Sequence, residues 1–190
     1  MTRPQLWVLA GGNGAGKTTF YRQFLEPRRV LFANADEIAR QIDPTAPEQH
    51  SYQAAHLVEH LRRQLLRERK SFCFETVFSH PSKVDFVAEA KAAGYENILV
   101  IVHLENPALN QARVAQRVSE GGHSVPPDKI VSRIPRTLEN LRKTFPLCDQ
   151  VHILDNSSAT SPFERIAVLK GQAPVFLADP LPQWARELLG

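Results

Sequence analysis

Cysteine is scarce in this 190-residue chain: Cys73 sits inside an apolar run and Cys148 beside Asp149. Two such residues, without metal-ligand spacing or a disulfide framework, read as buried thiols. Long apolar runs are missing as well. No stretch approaches the roughly 18 residues that a membrane span needs. Met1-Thr2-Arg3-Pro4 leads directly into a strand-like run rather than a leader, so the expectation is a cytoplasmic protein with no membrane partner. Net charge is low: 23 Lys and Arg against 20 Asp and Glu leave +3. That surplus is too small to argue for nucleic acid, and none is expected as a partner; it suits a protein that handles phosphorylated small molecules. Internal repeats and low-complexity tracts are absent. So is the guanine-reading Asn-Lys-x-Asp pattern, which argues against a common GTPase and leaves ATP as the default phosphate donor.

What is present is ordinary globular composition, 43% hydrophobic and 23% charged, and a length that suits one domain over residues 1–190. Apolar runs at Gln5–Ala10, Val30–Ala33, Ser71–Glu75, Ile98–Leu104 and Gln150–Leu154 alternate with helical patterns. One such helix carries Ala54, Leu57, Val58, Leu61 and Leu65 on its apolar face, with Arg62, Arg63 and Arg67 on the other. The alternation predicts an α/β fold: a five-stranded parallel sheet flanked by helices. Residues 160–190 break the rhythm and predict a small C-terminal β-hairpin followed by a short helix near Trp184.

The segment Gly11-Gly12-Asn13-Gly14-Ala15-Gly16-Lys17-Thr18-Thr19 follows the first strand and opens a helix. Its small residues let backbone N–H groups close on phosphate oxygens, helped by the positive end of the helix. Lys17 reaches the outer phosphates and the Thr18 hydroxyl holds magnesium. Gly12 to Thr19 are therefore the expected nucleotide-binding residues. In a parallel sheet, the loops at the carboxyl ends of strands line the active crevice. Asp36 follows the second strand and is the candidate general base, with a helix cap shared with Asn34 as the alternative. Glu75, followed by Thr76, ends the third strand and is a candidate for magnesium or acceptor hydroxyls.

Residues 113–140 read as a helical lid. Arg113 and Arg117 lead to Gly121-Gly122-His123, and Arg133, Arg136 and Asn140 follow at i, i+3 and i+7, although Pro135 intervenes. Arginines gathered beside a glycine bend suit phosphate clamps. A rival reading takes Ser119-Glu120-Gly121-Gly122-His123 as an echo of the ABC ATPase signature and Val151–Asp155 as a magnesium strand; Asn156 then stands where such ATPases need a glutamate.

With these pieces in place the chain resembles the zeta toxin family of P-loop kinases over about residues 5–156. The residues that carry the likeness are Gly12–Thr19, Asn34-Ala35-Asp36-Glu37, Phe74-Glu75-Thr76 and Arg117–Pro126, with Arg133, Arg136 and Asn140. The resemblance implies a P-loop NTPase fold like that of the nucleotide kinases, ATP and Mg2+ as cofactors, transfer to a sugar hydroxyl of UDP-N-acetylglucosamine or a related UDP-sugar, and a possible antitoxin partner. It gives Asp36 the base role, puts Asn34, Glu75 and Thr76 in the acceptor pocket, brings Arg117 to the phosphates and sets Asp155-Asn156 near the adenine. This chain has His123 or Ser124 where the family carries a second clamp arginine, so that role passes to Arg133 or Arg136. The alternatives are a P-loop ATPase and a regulatory nucleotide-binding module.

Overall fold

The computed structural model describes residues 2–119 and 132–190. Five parallel strands form its centre: β1 (Gln5–Ala10), β2 (Leu31–Ala33), β3 (Phe72–Thr76), β4 (Glu96–His103) and β5 (Gln150–Asp155). Their order is β2-β3-β1-β4-β5, so β1 lies between β3 and β4. From β1 the chain crosses to β2 and returns through β3, then passes over to β4 on the other side of β1, and that reversal opens a crevice at the carboxyl end of β1.

Consecutive residues of these strands alternate between two apolar layers, as a period of two requires. Leu6, Val8, Phe72, Phe74, Leu99, Ile101 and Ile153 face one layer. Leu9, Cys73, Ile98, Val100, Val102 and Leu154 face the other. The first layer is covered by α3 (Ser51–Arg67), α4 (Ser82–Ala92), α6 (Ile134–Thr144) and α7 (Gln183–Leu189). The second lies under α1 (Lys17–Phe20) and α5 (Pro107–Ser119). A sheet buried on both faces explains why its strands read as continuous apolar runs.

Several local features depart from the sequence reading. The helix that the phosphate loop opens is α only to Phe20 and continues as a π turn over Tyr21–Leu25. The hairpin, β6 (Glu164–Lys170) and β7 (Ala173–Leu177), joins the main sheet: β6 pairs antiparallel with β5 and makes it seven-stranded. On α3, Leu57 is exposed whereas Arg62 is buried, its guanidinium lying 5.0 Å from the ring centre of Phe74 and 5.5 Å from that of Phe86. The helical pattern does break beside Pro135: Ser132 is helical, Arg133 is a turn residue and N-cap, and α6 begins at Ile134 with Pro135 in its first turn. A proline is tolerated in the first turn, where no intrahelical partner is lost.

Candidate active site

The loop between β1 and α1 wraps around its own lysine. Lys17 Nζ donates to the carbonyls of Gly11 (3.0 Å) and Gly12 (2.9 Å), which leaves its third hydrogen for a phosphate oxygen. Burial lowers the Lys17 pKa, and Glu75 opposes that shift, with Arg117 and Asp36 making smaller contributions of opposite sign. Two of the loop's glycines show why a side chain has no room there. Gly11 has φ +151° and a Cβ there would stand 2.1 Å from the Val102 carbonyl oxygen; Gly16 has φ +104° and a Cβ would stand 2.4 Å from Asn156 Nδ2.

Beside this loop lies a cavity of about 740 Å³. Asn13, Gly14, Gly16, Lys17, Thr18 and Thr19 form one wall; Asp36 and Glu75 stand on another, and Arg113, Gln116, Arg117 and Arg133 face it from the side of α5 and α6. Asn156, Ser158, Pro162 and Phe163 complete the lining, with Asn156 against the loop itself. Thr18 Oγ1 donates to Glu75 Oε2 at 2.7 Å. That contact exists because β3 lies beside β1 with Leu9 opposite Glu75. A hydroxyl and a carboxylate held together are the hard oxygen donors that magnesium prefers. Asn34 Oδ1 caps α2 (Ala35–Ile42), accepting from the amides of Asp36 (2.7 Å) and Glu37 (3.4 Å). The cap therefore falls to Asn34 and leaves the Asp36 carboxylate on the cavity wall.

The zeta toxin family model matches residues 1–165. The chain belongs to the zeta toxin family. As a zeta toxin family member it is an ATP-dependent P-loop kinase, a phosphotransferase with a hydroxyl acceptor. An uncharacterized protein of Haemophilus influenzae is 29% identical over 140 residues, covering 70% of this chain and 99% of that protein. Among solved structures, a chain of the PezAT chromosomal toxin-antitoxin system of Streptococcus pneumoniae superposes with a TM-score of 0.68 and 18% identity, covering 100% of this chain and 83% of that one. A chain of the AvrRxo1-ORF1:-ORF2 assembly crystallised with ATP gives 0.73 at 15% identity; the match takes in 99% of this chain and 64% of the other. At those identities the two structures establish the fold.

Within this zeta toxin family site some expected residues converge and others do not. Lys17, Thr18, Asp36, Glu75, Arg117 and Arg133 share the cavity. Arg136 is exposed on α6 and is not among the residues lining it, whereas Arg133, the N-cap residue of that helix, is. His123 and the glycine bend at 121–122, like most of the expected lid hinge, lie outside the described residues. Asn140 is buried and donates to the Phe78 carbonyl (3.0 Å), while Thr137 Oγ1 donates to that of Val77 (2.9 Å), so α6 fastens the turn after β3. Thr76 Oγ1 accepts from the Phe78 amide in that turn (2.9 Å) and also lines a second cavity next to Glu75. The ABC-type reading fails on placement: Asp155 Oδ1 accepts from the Ser157 amide, and the carboxylate at Thr18 is Glu75.

The sequence reading missed the braces behind the phosphate loop. Asn110 Nδ2 donates to the Asn13 carbonyl (2.7 Å) and Asn156 Nδ2 to that of Ala15 (2.8 Å). Both side chains are buried. An asparagine on the apolar stripe of α5, one turn before buried Val114, was the available signal for the first.

Proposed function

We propose that this zeta toxin family kinase transfers the γ-phosphoryl group of ATP to a sugar hydroxyl of a UDP-amino sugar, with UDP-N-acetylglucosamine the leading candidate. The observation that carries the reading is the presence of two carboxylates, Asp36 and Glu75, in one cavity with Lys17 and Thr18, Glu75 in contact with Thr18 itself. A hydrolase needs room for a water; here a second cavity of about 370 Å³ meets the first at Glu75, giving an acceptor somewhere to lie.

In this reading the loop from Asn13 to Thr19 holds the triphosphate through backbone N–H groups, and Lys17 bridges its outer phosphates. Thr18 and Glu75 would hold magnesium, which supplies charge neutralisation on the phosphates when bound. Asp36 accepts the proton of the acceptor hydroxyl as that oxygen bonds to the γ-phosphorus and the bond to the ADP oxygen breaks. Arg117 and Arg133 balance the negative charge spread over the moving group. An antitoxin-like protein is the proposed partner, in keeping with the two-component systems to which the similar structures belong.

Incubation with ATP, magnesium and a panel of UDP-sugars, read by mass spectrometry, tests the reading. The expected product is a monophosphorylated UDP-sugar with stoichiometric ADP. ADP released at the same rate with no phosphorylated sugar would instead support an ATPase.

A further inference from the structure

We propose that the groove between α1 and the C-terminal hairpin is an effector site for a flat aromatic anion, and that Phe163 passes its occupancy to the nucleotide cavity. The groove shares Phe163 with that cavity and shares no lining residue with the second cavity beside Glu75. It is therefore separate from the place proposed for the acceptor.

The hairpin extends the sheet beyond β5. On the face of the second apolar layer, Trp7 of β1, Val100 of β4, His152 of β5 and Phe176 of β7 form the floor of an open groove of about 580 Å³. Pairing sets this row: His152 lies opposite Val168, and Val168 opposite Phe176. Phe20 of α1 and Phe24 of the π turn make the wall. A concave space of that size, lined by rings, suits a small molecule. Phe24 and Phe176 stay 37% and 40% exposed, so the rings face the groove unfilled by the protein's own packing. Burial, with Arg165 and Lys170, holds the His152 imidazole below its ordinary range, which keeps it a neutral ring at pH 7.5.

The charge of the groove has one sign. Arg28 and Arg165 line it, and no Asp or Glu does. Neither arginine belongs to an ion pair among the described residues. The Arg165 guanidinium stands 5.6 Å from the ring centre of Phe176. Rings flanked by guanidiniums that no carboxylate neutralises complement a ligand that is planar, apolar and negatively charged.

Phe163 joins this groove to the nucleotide site. Its ring centre lies 5.5 Å from that of Phe20 and 5.8 Å from that of Phe24, and a Cβ built on Gly16 would stand 3.6 Å from its Cε1. Its backbone has φ +56°, a left-handed conformation that a phenylalanine holds only where its surroundings fix it. A ligand packed on the three phenylalanines steadies the same residue that walls the nucleotide cavity. The two sites are then coupled, each occupant favouring the other.

The test uses anilinonaphthalene sulfonate as the flat anion and phenylnaphthylamine as its neutral counterpart, both read by fluorescence, with the wild type, Arg165→Gln, Arg28→Gln and Phe163→Leu. The wild type should bind the sulfonate more tightly than the amine. Each arginine variant should weaken the sulfonate about 3- to 10-fold, the worth of a half-exposed ion pair, and leave the amine within about twofold. A saturating non-hydrolysable ATP analogue should tighten the sulfonate roughly 5-fold or more, and the sulfonate should tighten the analogue by the same factor. Phe163→Leu should abolish both effects. With the analogue bound, displacement of the sulfonate by AMP assigns the site to a nucleotide, displacement by naphthoate alone assigns it to an aromatic acid, and displacement by neither overturns the proposal. Equal binding of the neutral amine, arginine variants that change nothing, or the absence of coupling to the analogue also overturns it. So does expulsion of the sulfonate by the analogue, which would put the dye in the nucleotide cavity. None of these measurements involves phosphoryl transfer, so their failure leaves the kinase reading intact.

Discussion

The side-chain amide of Asn156 is hydrogen-bonded at 2.8 Å to the carbonyl of Ala15, 141 residues earlier in the chain. Its Oδ1 accepts from the Phe163 amide, and the Asn156 carbonyl accepts from Arg113. One buried residue thus ties the phosphate loop, the end of β5 and α5 together. Asn156→Ala leaves the Ala15 carbonyl unmatched, at a cost of about 1–3 kcal/mol. The expected result is a KM for ATP raised roughly 5- to 100-fold with kcat far less changed, measured from initial rates at varied ATP.

Asp36 separates binding from transfer. Asp36→Asn keeps the size of the side chain and the α2 cap, which belongs to Asn34, but removes the proton acceptor. Loss of a general base costs about 100- to 10,000-fold in rate. Phosphoryl transfer should fall by that factor while ATP affinity, read by calorimetry, stays near wild type. Unchanged ATP turnover would refute the base assignment.

Both thiols should be chemically silent in the folded protein. Burial pushes the Cys148 thiol up to about 12 and the Cys73 thiol well above its ordinary value. The reactive thiolate is then negligible at pH 8. Ellman's reagent should find no accessible thiol in the native protein and two after unfolding in guanidinium chloride.

Stability should fall in mild acid. His103 is half-buried and stacked on Trp184, ring centres 4.0 Å apart. Burial lowers its pKa below the ordinary 6.5, and Asp155 offsets part of that. As pH drops below about 6.5 the unfolded chain takes up a proton that the folded one declines, so unfolding is favoured until the folded pKa is passed. His152 is shifted the same way by burial, Arg165 and Lys170. Urea midpoints between pH 7.5 and 5 should decline, and His103→Gln should flatten, without abolishing, the slope.

The parallel sheet, the phosphate loop and the acidic residues at the ends of β2 and β3 were legible because each follows from local pattern: an apolar run, a glycine cluster, a polar residue just past a strand. What was not legible depends on packing between distant segments. Arg62 reads as a solvated charge from its place on α3, and only the aromatic pair Phe74 and Phe86 makes it a buried one. Arg133 and Arg136 read as partners by spacing, but only Arg133 lines the cavity while Arg136 is exposed, a difference that depends on what packs around α6. Asn156 reads as a departure from an ATPase strand, and its role as a loop brace depends on β5 lying two strands from β1.

The family match ends at residue 165, one residue before the stretch Ile166–Leu169 that β6 buries. Shortening the gene at that boundary would turn β5 into a border strand, bare along one side, with Asn156 hanging from its end. The last 25 residues therefore act as a retaining wall for catalysis, and a trimmed expression product should forfeit its grip on ATP before it forfeits the sheet.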